Sequence, residues 1–146
     1  TGDTGPTLIT TVADITKMGS DTIASNDSVL FTNIQYINNI SFNPISDTIT
    51  IIDAGVYKLE FYISINAGGT APIVFSFEIN GNNMLQKAMG ISVTSGGIIS
   101  NSVIRPLNAG TILRVMNVSA SSISIPDVDV GMQGRQSARF VVYRIF

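Results

Sequence analysis

The chain has 146 residues, and 8 Lys and Arg against 10 Asp and Glu leave a net charge of −2. Only 12% of the residues are charged, about half the usual share. No basic block is present, so the chain lacks the phosphate-neutralising patch of nucleic-acid-binding proteins. No apolar run reaches the ~20 residues of a membrane-spanning helix, and no membrane insertion is expected. Neither Cys nor His occurs, which excludes disulfides and the commonest general base.

The first seven residues have glycine at every third position, because Gly-x-x triplets begin at Gly2 and Gly5. Collagen needs this spacing since only glycine fits the axis shared by three chains. Two triplets alone also fit a flexible tail, but these lie directly before a globular pattern. We therefore predict that residues 1–7 end a collagen-like stalk and that residues 8–146 form one globular domain. Because the chain begins with Thr rather than Met, we expect it to be part of a longer protein.

Strands are predicted in the middle of the chain, where apolar residues alternate with polar ones. Residues 57–65 and 73–79 both follow this period of two, which is typical of half-buried strands. The second run ends at Asn80-Gly81, a pair that favours a tight hairpin turn. The segment 14–26 has no clear pattern and fits a loop, a short strand or one helical turn.

Two later segments are largely apolar on both faces. Residues 112–116 follow a predicted turn at residues 108–110, and residues 140–146 close the chain. Such strands are usually central in a sheet or lie at an interface. The low charge likewise favours an oligomer that hides surface, or a setting that tolerates uncharged polar surfaces. Many short, regularly spaced strands without a fixed repeat predict an all-β sandwich or jelly roll.

The order of several short motifs carries a family resemblance. These motifs are Val29-x-Phe31 before Ile40 and Phe42, Thr48 to Ile51 before Gly55-x-Tyr57, Phe77 to Gly81, and Leu107-x-x-Gly110. Together they resemble the C1q/TNF-like jelly roll, in particular the C-terminal domain of bacterial collagen-like surface proteins such as exosporium glycoproteins. The resemblance implies about ten strands, a homotrimer around a threefold axis, a collagen-like stalk, no cofactor and no catalysis.

Candidate chemical sites are few. Without His a Ser-His-Asp triad cannot form, and no local motif suggests a Ser-Lys pair at Lys17, Lys58 or Lys87. The closest acids, Asp127 and Asp129, fit either a calcium site or two solvated loop acids, and we favour the solvated acids. We therefore predict no metal site and no catalytic residue.

Four other charged residues are candidates for ion pairs or binding contacts. Glu60 and Glu78 are expected to form surface pairs with Lys58 or Arg114. Arg135 and Arg139 fit an anion site or a trimer contact, although a solvated surface is the favoured interpretation.

The functional hypothesis is a trimeric head on a collagen-like filament at a spore exosporium or cell surface. It would nucleate the stalk and present a surface for glycans or proteins. The alternative is the receptor- or glycan-binding tip of a phage or viral fibre. A long upstream Gly-x-x tract with Thr-rich positions would favour the first hypothesis, and an upstream coiled coil or tail adhesin the second.

Overall fold

The structure, a computed structural model, describes residues 8–83, 87–92 and 95–146, and these ranges contain strands and turns but no helix. The strands are β1 Val12–Met18, β2 Asp21–Ile23, β3 Asn33–Asn38, β4 Ile40–Asn43, β5 Thr48–Ile51, β6 Gly55–Ile65, β7 Ile73–Ile79, β8 Ala88–Ile91, β9 Gly97–Leu107, β10 Ile112–Asn117, β11 Ile123–Ile125 and β12 Gln136–Arg144. Within these ranges no helix is long and apolar enough to cross a membrane. The predicted stalk at residues 1–7 lies outside the described residues.

Ten of the strands form two five-stranded antiparallel sheets. Sheet I has the order β3-β1-β12-β6-β9, and sheet II has the order β4-β5-β10-β7-β8. The remaining two strands, β2 and β11, pair in a short ribbon. The predicted all-β jelly roll of about ten strands is therefore confirmed, with the ribbon as an addition. Of the alternatives for residues 14–26, the short strand is correct for most of the segment, which contains the end of β1 and all of β2, and residues 24–26 form a turn.

Aromatic side chains join the two sheets in the core. The ring of Phe61 in sheet I lies 4.9 Å from that of Phe77 in sheet II, and Phe77 lies 5.9 Å from Phe140. Phe31 extends the cluster, with its ring 5.8 Å from Phe140. All four side chains are almost fully buried. Such rings bury a large apolar area each, so this cluster is a main source of the attraction between the sheets.

The last strand, β12, is the central strand of sheet I, as its apolar character predicted. Phe140 and Val142 point into the core and are 1% and 0% exposed. Val141 and Tyr143 point outward and are half-buried. The strand ends at Arg144, two residues before the chain's last residue.

The predicted hairpin turn at Asn80-Gly81 is also confirmed. Both residues have positive φ angles, 50° and 81°. Ile79 and Asn82 exchange two backbone hydrogen bonds of 2.9 and 3.0 Å across the turn. This is the geometry that Asn-Gly adopts without strain, because glycine has no Cβ and asparagine tolerates the left-handed region.

The two ends of the sandwich differ in the chain segments that lie there. At one end, here called the base, the Arg144 amide donates to Thr11 O at 3.0 Å and the Val56 amide donates to Phe146 O at 2.6 Å. The first described residues and the last residues of the chain therefore meet there. β6 runs from Gly55 at the base to Ile65 at the opposite end, here called the tip. The β6–β7 loop consequently lies at the end of the sandwich opposite to the first described residues.

Candidate functional site

The outward side of sheet I is the candidate site, and the strand register defines it row by row. Its central row runs across all five strands as Tyr36, Asp14, Val141, Glu60 and Ser102. Val141 thus lies at the middle of the sheet with a carboxylate on each neighbouring strand. Among the strands of the described residues, sheet II packs on the opposite, core-facing side.

The neighbouring rows add apolar surface. The row nearer the tip contains Arg139 and Tyr62, and the row nearer the base contains Tyr143 and Lys58. Four large apolar or aromatic side chains on this outer face of sheet I are strongly exposed: Tyr36 57%, Tyr62 44%, Ile98 67% and Ile104 53%. The face therefore exposes several large apolar side chains beside its charged groups.

A shallow groove of about 440 Å³ crosses this face toward the tip. Its lining includes Asp14, Glu60, Tyr62, Ile98, Arg139 and Val141. These residues come from β1, β12, β6 and β9, so the groove depends on how four strands are aligned. A protruding edge of another molecule fits such a shape better than a small ligand does, because the groove is open along one side.

The charged groups of the outer face of sheet I neutralise one another. Arg139 Nε lies 3.0 Å from Asp14 Oδ1, and Lys58 Nζ lies 3.3 Å from Glu60 Oε1. The Tyr62 hydroxyl donates to Glu60 Oε2 at 3.2 Å. Burial, followed by the charge of Glu60, raises the pKa of Tyr62, and the hydrogen bond to Glu60 raises the pKa of Lys58. Paired charges can be covered by another protein at much lower cost than single ones.

Solved structures assign the fold. The globular domain of zebrafish complement 1qA protein superposes with a TM-score of 0.65 at 15% identity, covering 94% of this chain and 98% of that one. The Eiger TNF of S. frugiperda superposes with a TM-score of 0.69 at 12% identity, covering 94% of this chain and 93% of that one. The chain is a C1q/TNF-like jelly roll. No protein-family profile and no curated protein matches its sequence.

The jelly roll uses Asp127 and Asp129 to shape a loop near the tip. Asp127 Oδ1 accepts the Asp129 amide at 2.9 Å, and Asp129 Oδ1 accepts the Arg135 amide at 2.7 Å. Arg135 Nη1 in turn donates to Gly134 O at 3.2 Å. Within the described ranges, no three His, Cys, Asp or Glu residues gather where they could hold a metal ion. Each acid of the pair therefore has a structural partner in its own loop.

Both expected ion pairs of Glu60 and Glu78 are present, but that of Glu78 is not a surface pair, because Glu78 is only 8% exposed. Glu60 pairs with Lys58 on sheet I, and Glu78 Oε1 lies 3.0 Å from Arg114 Nε on sheet II. Of the two arginines that fit an anion site or a trimer contact, Arg139 lies on the outer face of sheet I in its pair with Asp14. Arg135 is exposed and lies in the loop of Asp129, whose Oδ1 accepts its amide.

Each candidate lysine has a polar partner other than a serine hydroxyl. Lys17 Nζ lies 3.0 Å from Asp21 Oδ2, and Lys87 Nζ donates to Asn82 Oδ1 at 3.2 Å. Lys87 is only 7% exposed, and burial, followed by the charge of Arg105, lowers its pKa. The arrangement supports these lysines as structural groups of the jelly roll rather than as bases for a serine nucleophile.

Sequence reasoning did not identify Asp47, a carboxylate that is buried in the jelly roll. It is 7% exposed and lies in the turn between β4 and β5 with a φ of 55°. Its Oδ2 accepts a hydrogen bond from Ser28 Oγ at 3.0 Å. Burial raises its pKa above 3.8, and the hydrogen bond from Ser28 opposes this shift. The sequence did not indicate this burial, because an aspartate in a turn between two strands is ordinarily exposed to solvent.

Proposed function

We propose that this chain is the trimeric, non-catalytic head of a collagen-like filament on the surface of a spore or a cell. The head brings three stalk chains together and presents its tip for interaction. The observation that carries this proposal is the outer face of sheet I, with its exposed tyrosines, its isoleucines and its internally paired charges.

The chemistry of this face fits a protein partner. Tyrosine is enriched at protein interfaces because it offers a large apolar ring and a polar hydroxyl. Large contiguous apolar patches are uncommon on monomeric soluble proteins and usually mark interaction sites. Tyr36, Tyr62, Ile98 and Ile104 give the outer face of sheet I exposed apolar area, and the charged groups of this face are paired with one another. Covering this face would therefore remove apolar area from water without leaving a charge unpaired.

Other copies of the same chain are the partner we propose. C1q/TNF-like domains are typically trimeric. A head-to-tail contact, in which the groove of one copy receives a different part of the next, forms a closed ring when the rotation is 120°. The groove on sheet I supplies one half of such a contact, and its matched charges require no counter-ion from outside.

The position of the base supports the proposed stalk. The Arg144 guanidinium donates to Ile9 O at 2.7 Å there, and the Gly-x-x triplets of residues 1–7 directly precede this described part of the chain. Three heads around one axis would bring three such segments into proximity. This raises their effective concentration and favours a collagen-like triple helix, which needs three chains in register.

Light scattering on the purified domain tests the proposal directly. A trimer has three times the 15.5 kDa mass of the chain. A single species of the chain's own mass at micromolar concentration would show that the outer face of sheet I does not assemble, and the proposed function would then be wrong.

A further inference from the structure

A second pocket lies at the tip, between the β6–β7 loop and the β10–β11 connection. Its volume is about 310 Å³. The lining consists of Asn66, Ala67, Gly68, Gly69, Thr70, Ser121, Ser122, Ile123 and Ser124. None of these lining side chains is charged or aromatic, and most offer a hydroxyl or an amide. The pocket is formed within one chain.

Hydrogen bonds hold the two sides of this tip pocket in place. The Asn66 amide donates to Ser124 O at 3.0 Å, which ties the β6–β7 loop to β11. Asn117, which is 0% exposed, donates from Nδ2 to Ser121 O at 3.1 Å and so fixes the other side. Gly68 has a φ of +89°, a conformation that suits glycine. Hydrogen bonds to the rest of the domain therefore fix both sides of the pocket.

The polar groups of the lining that a bound molecule can reach are the side chains of Asn66, Thr70, Ser122 and Ser124, which are all exposed. The hydroxyl of Ser121 is buried and faces no solvent. Hydroxyls both donate and accept hydrogen bonds, and the amide of Asn66 offers two donors and an acceptor. The reachable lining therefore prefers an uncharged molecule that carries hydroxyl groups of its own.

We propose that the tip pocket binds a neutral saccharide, with room for about one sugar ring. Its volume lies at the lower end of the range for small-molecule sites. Hydroxyl and amide groups match the alternating donors and acceptors of a sugar, and the uncharged lining gives an acidic sugar no counter-charge. The use of this site in surface display rests on the proposed function, because three tips pointing away from the base bind a multivalent glycan more tightly than one tip does.

Nuclear magnetic resonance on the isotopically labelled domain tests this proposal. The probes are the methyl glycosides of glucose, galactose, mannose and N-acetylglucosamine, with N-acetylneuraminic acid as the charged comparison. We expect saturable shifts of the amide signals of residues 66–70 and 121–124 with at least one neutral probe, and weaker binding of the acidic sugar. Absence of saturable shifts with every neutral probe, or tighter binding of the acidic sugar, would overturn the proposal.

Two variants and a control locate the binding site. Ser122→Ala removes an exposed hydroxyl of the lining and should weaken binding by about tenfold, the effect of one hydrogen bond, with an unchanged melting temperature. Thr70→Ala should weaken binding as well. Ser41→Ala, an exposed serine on sheet II, should bind as the wild type does. Unchanged affinity in both pocket variants would refute the site.

Light scattering on the same samples separates this proposal from the proposed function. A trimer that binds no neutral sugar contradicts the pocket alone. A monomer whose pocket binds a neutral sugar contradicts the trimer alone.

Discussion

Replacing Val141 with aspartate should dissociate the trimer without unfolding the head. Val141 is half-buried at the centre of the outer face of sheet I, between Asp14 and Glu60 on the neighbouring strands. In a single copy, the added carboxylate remains partly hydrated. The cost there is the repulsion between cross-strand neighbours of like charge, about 0.2–1 kcal/mol for each pair.

The same substitution costs much more free energy once another copy covers the face. A buried charge without a partner costs about 3–5 kcal/mol, and a trimer contains three copies of it. Even the lower figure amounts to roughly 9 kcal/mol per trimer, which is about six powers of ten in the dissociation constant. We therefore expect Val141→Asp to be a folded monomer at concentrations at which the wild type is a trimer.

Two control variants make the experiment specific. Ser41→Asp places the same charge on an exposed position of sheet II and should remain a trimer. Val142→Asp places it in the core, where the residue is 0% exposed, and should unfold the domain. Light scattering gives the mass, and circular dichroism gives the melting temperature. If Val141→Asp retains the wild-type mass, the outer face of sheet I is not the interface and the reasoning fails.

Three further predictions concern pH, metal and the stalk. Burial raises the pKa of Asp47 above its ordinary 3.8 in the folded state, so the folded domain binds this proton more tightly than the unfolded chain does. The protonated carboxyl therefore stabilises the fold fully below pH 3.8, and this stabilisation is lost as the pH rises through the folded pKa. The melting temperature of Asp47→Asn minus that of the wild type should therefore increase from about pH 3 to about pH 7. A difference that does not change with pH would contradict this. Chelator should leave the melting temperature unchanged, since Asp127 and Asp129 accept backbone amides; a large fall would reveal a metal. Deleting residues 1–6 should preserve the trimer mass and the melting temperature, and dissociation would show that this segment carries assembly energy.

Local pattern was sufficient to predict much of the fold. The alternation in β6 and β7 reports which residues face a core, because successive side chains of a strand point to opposite sides. Asn80-Gly81 predicted its turn since the backbone angles required there suit these two residues. The apolar character of residues 140–146 indicated a strand that is central or lies at an interface, and residues 140–144 do belong to the central strand β12.

The candidate site depended on information that no local pattern contains. In β12, Phe140, Val141 and Val142 are all apolar, so the sequence by itself does not distinguish the core side from the outer side. Only the pairing of β12 with β1 and β6 places Val141 between Asp14 and Glu60.

The tip pocket needed tertiary structure for the same reason. Its two sides, residues 66–70 and 121–124, are more than fifty positions apart in the chain. The sequence by itself determined which segments become strands and turns, because these follow from the preferences of neighbouring residues. The tertiary structure decided which strands are adjacent, and hence which surface is left to bind, because packing the shared core selects one arrangement among many compatible with the same local pattern.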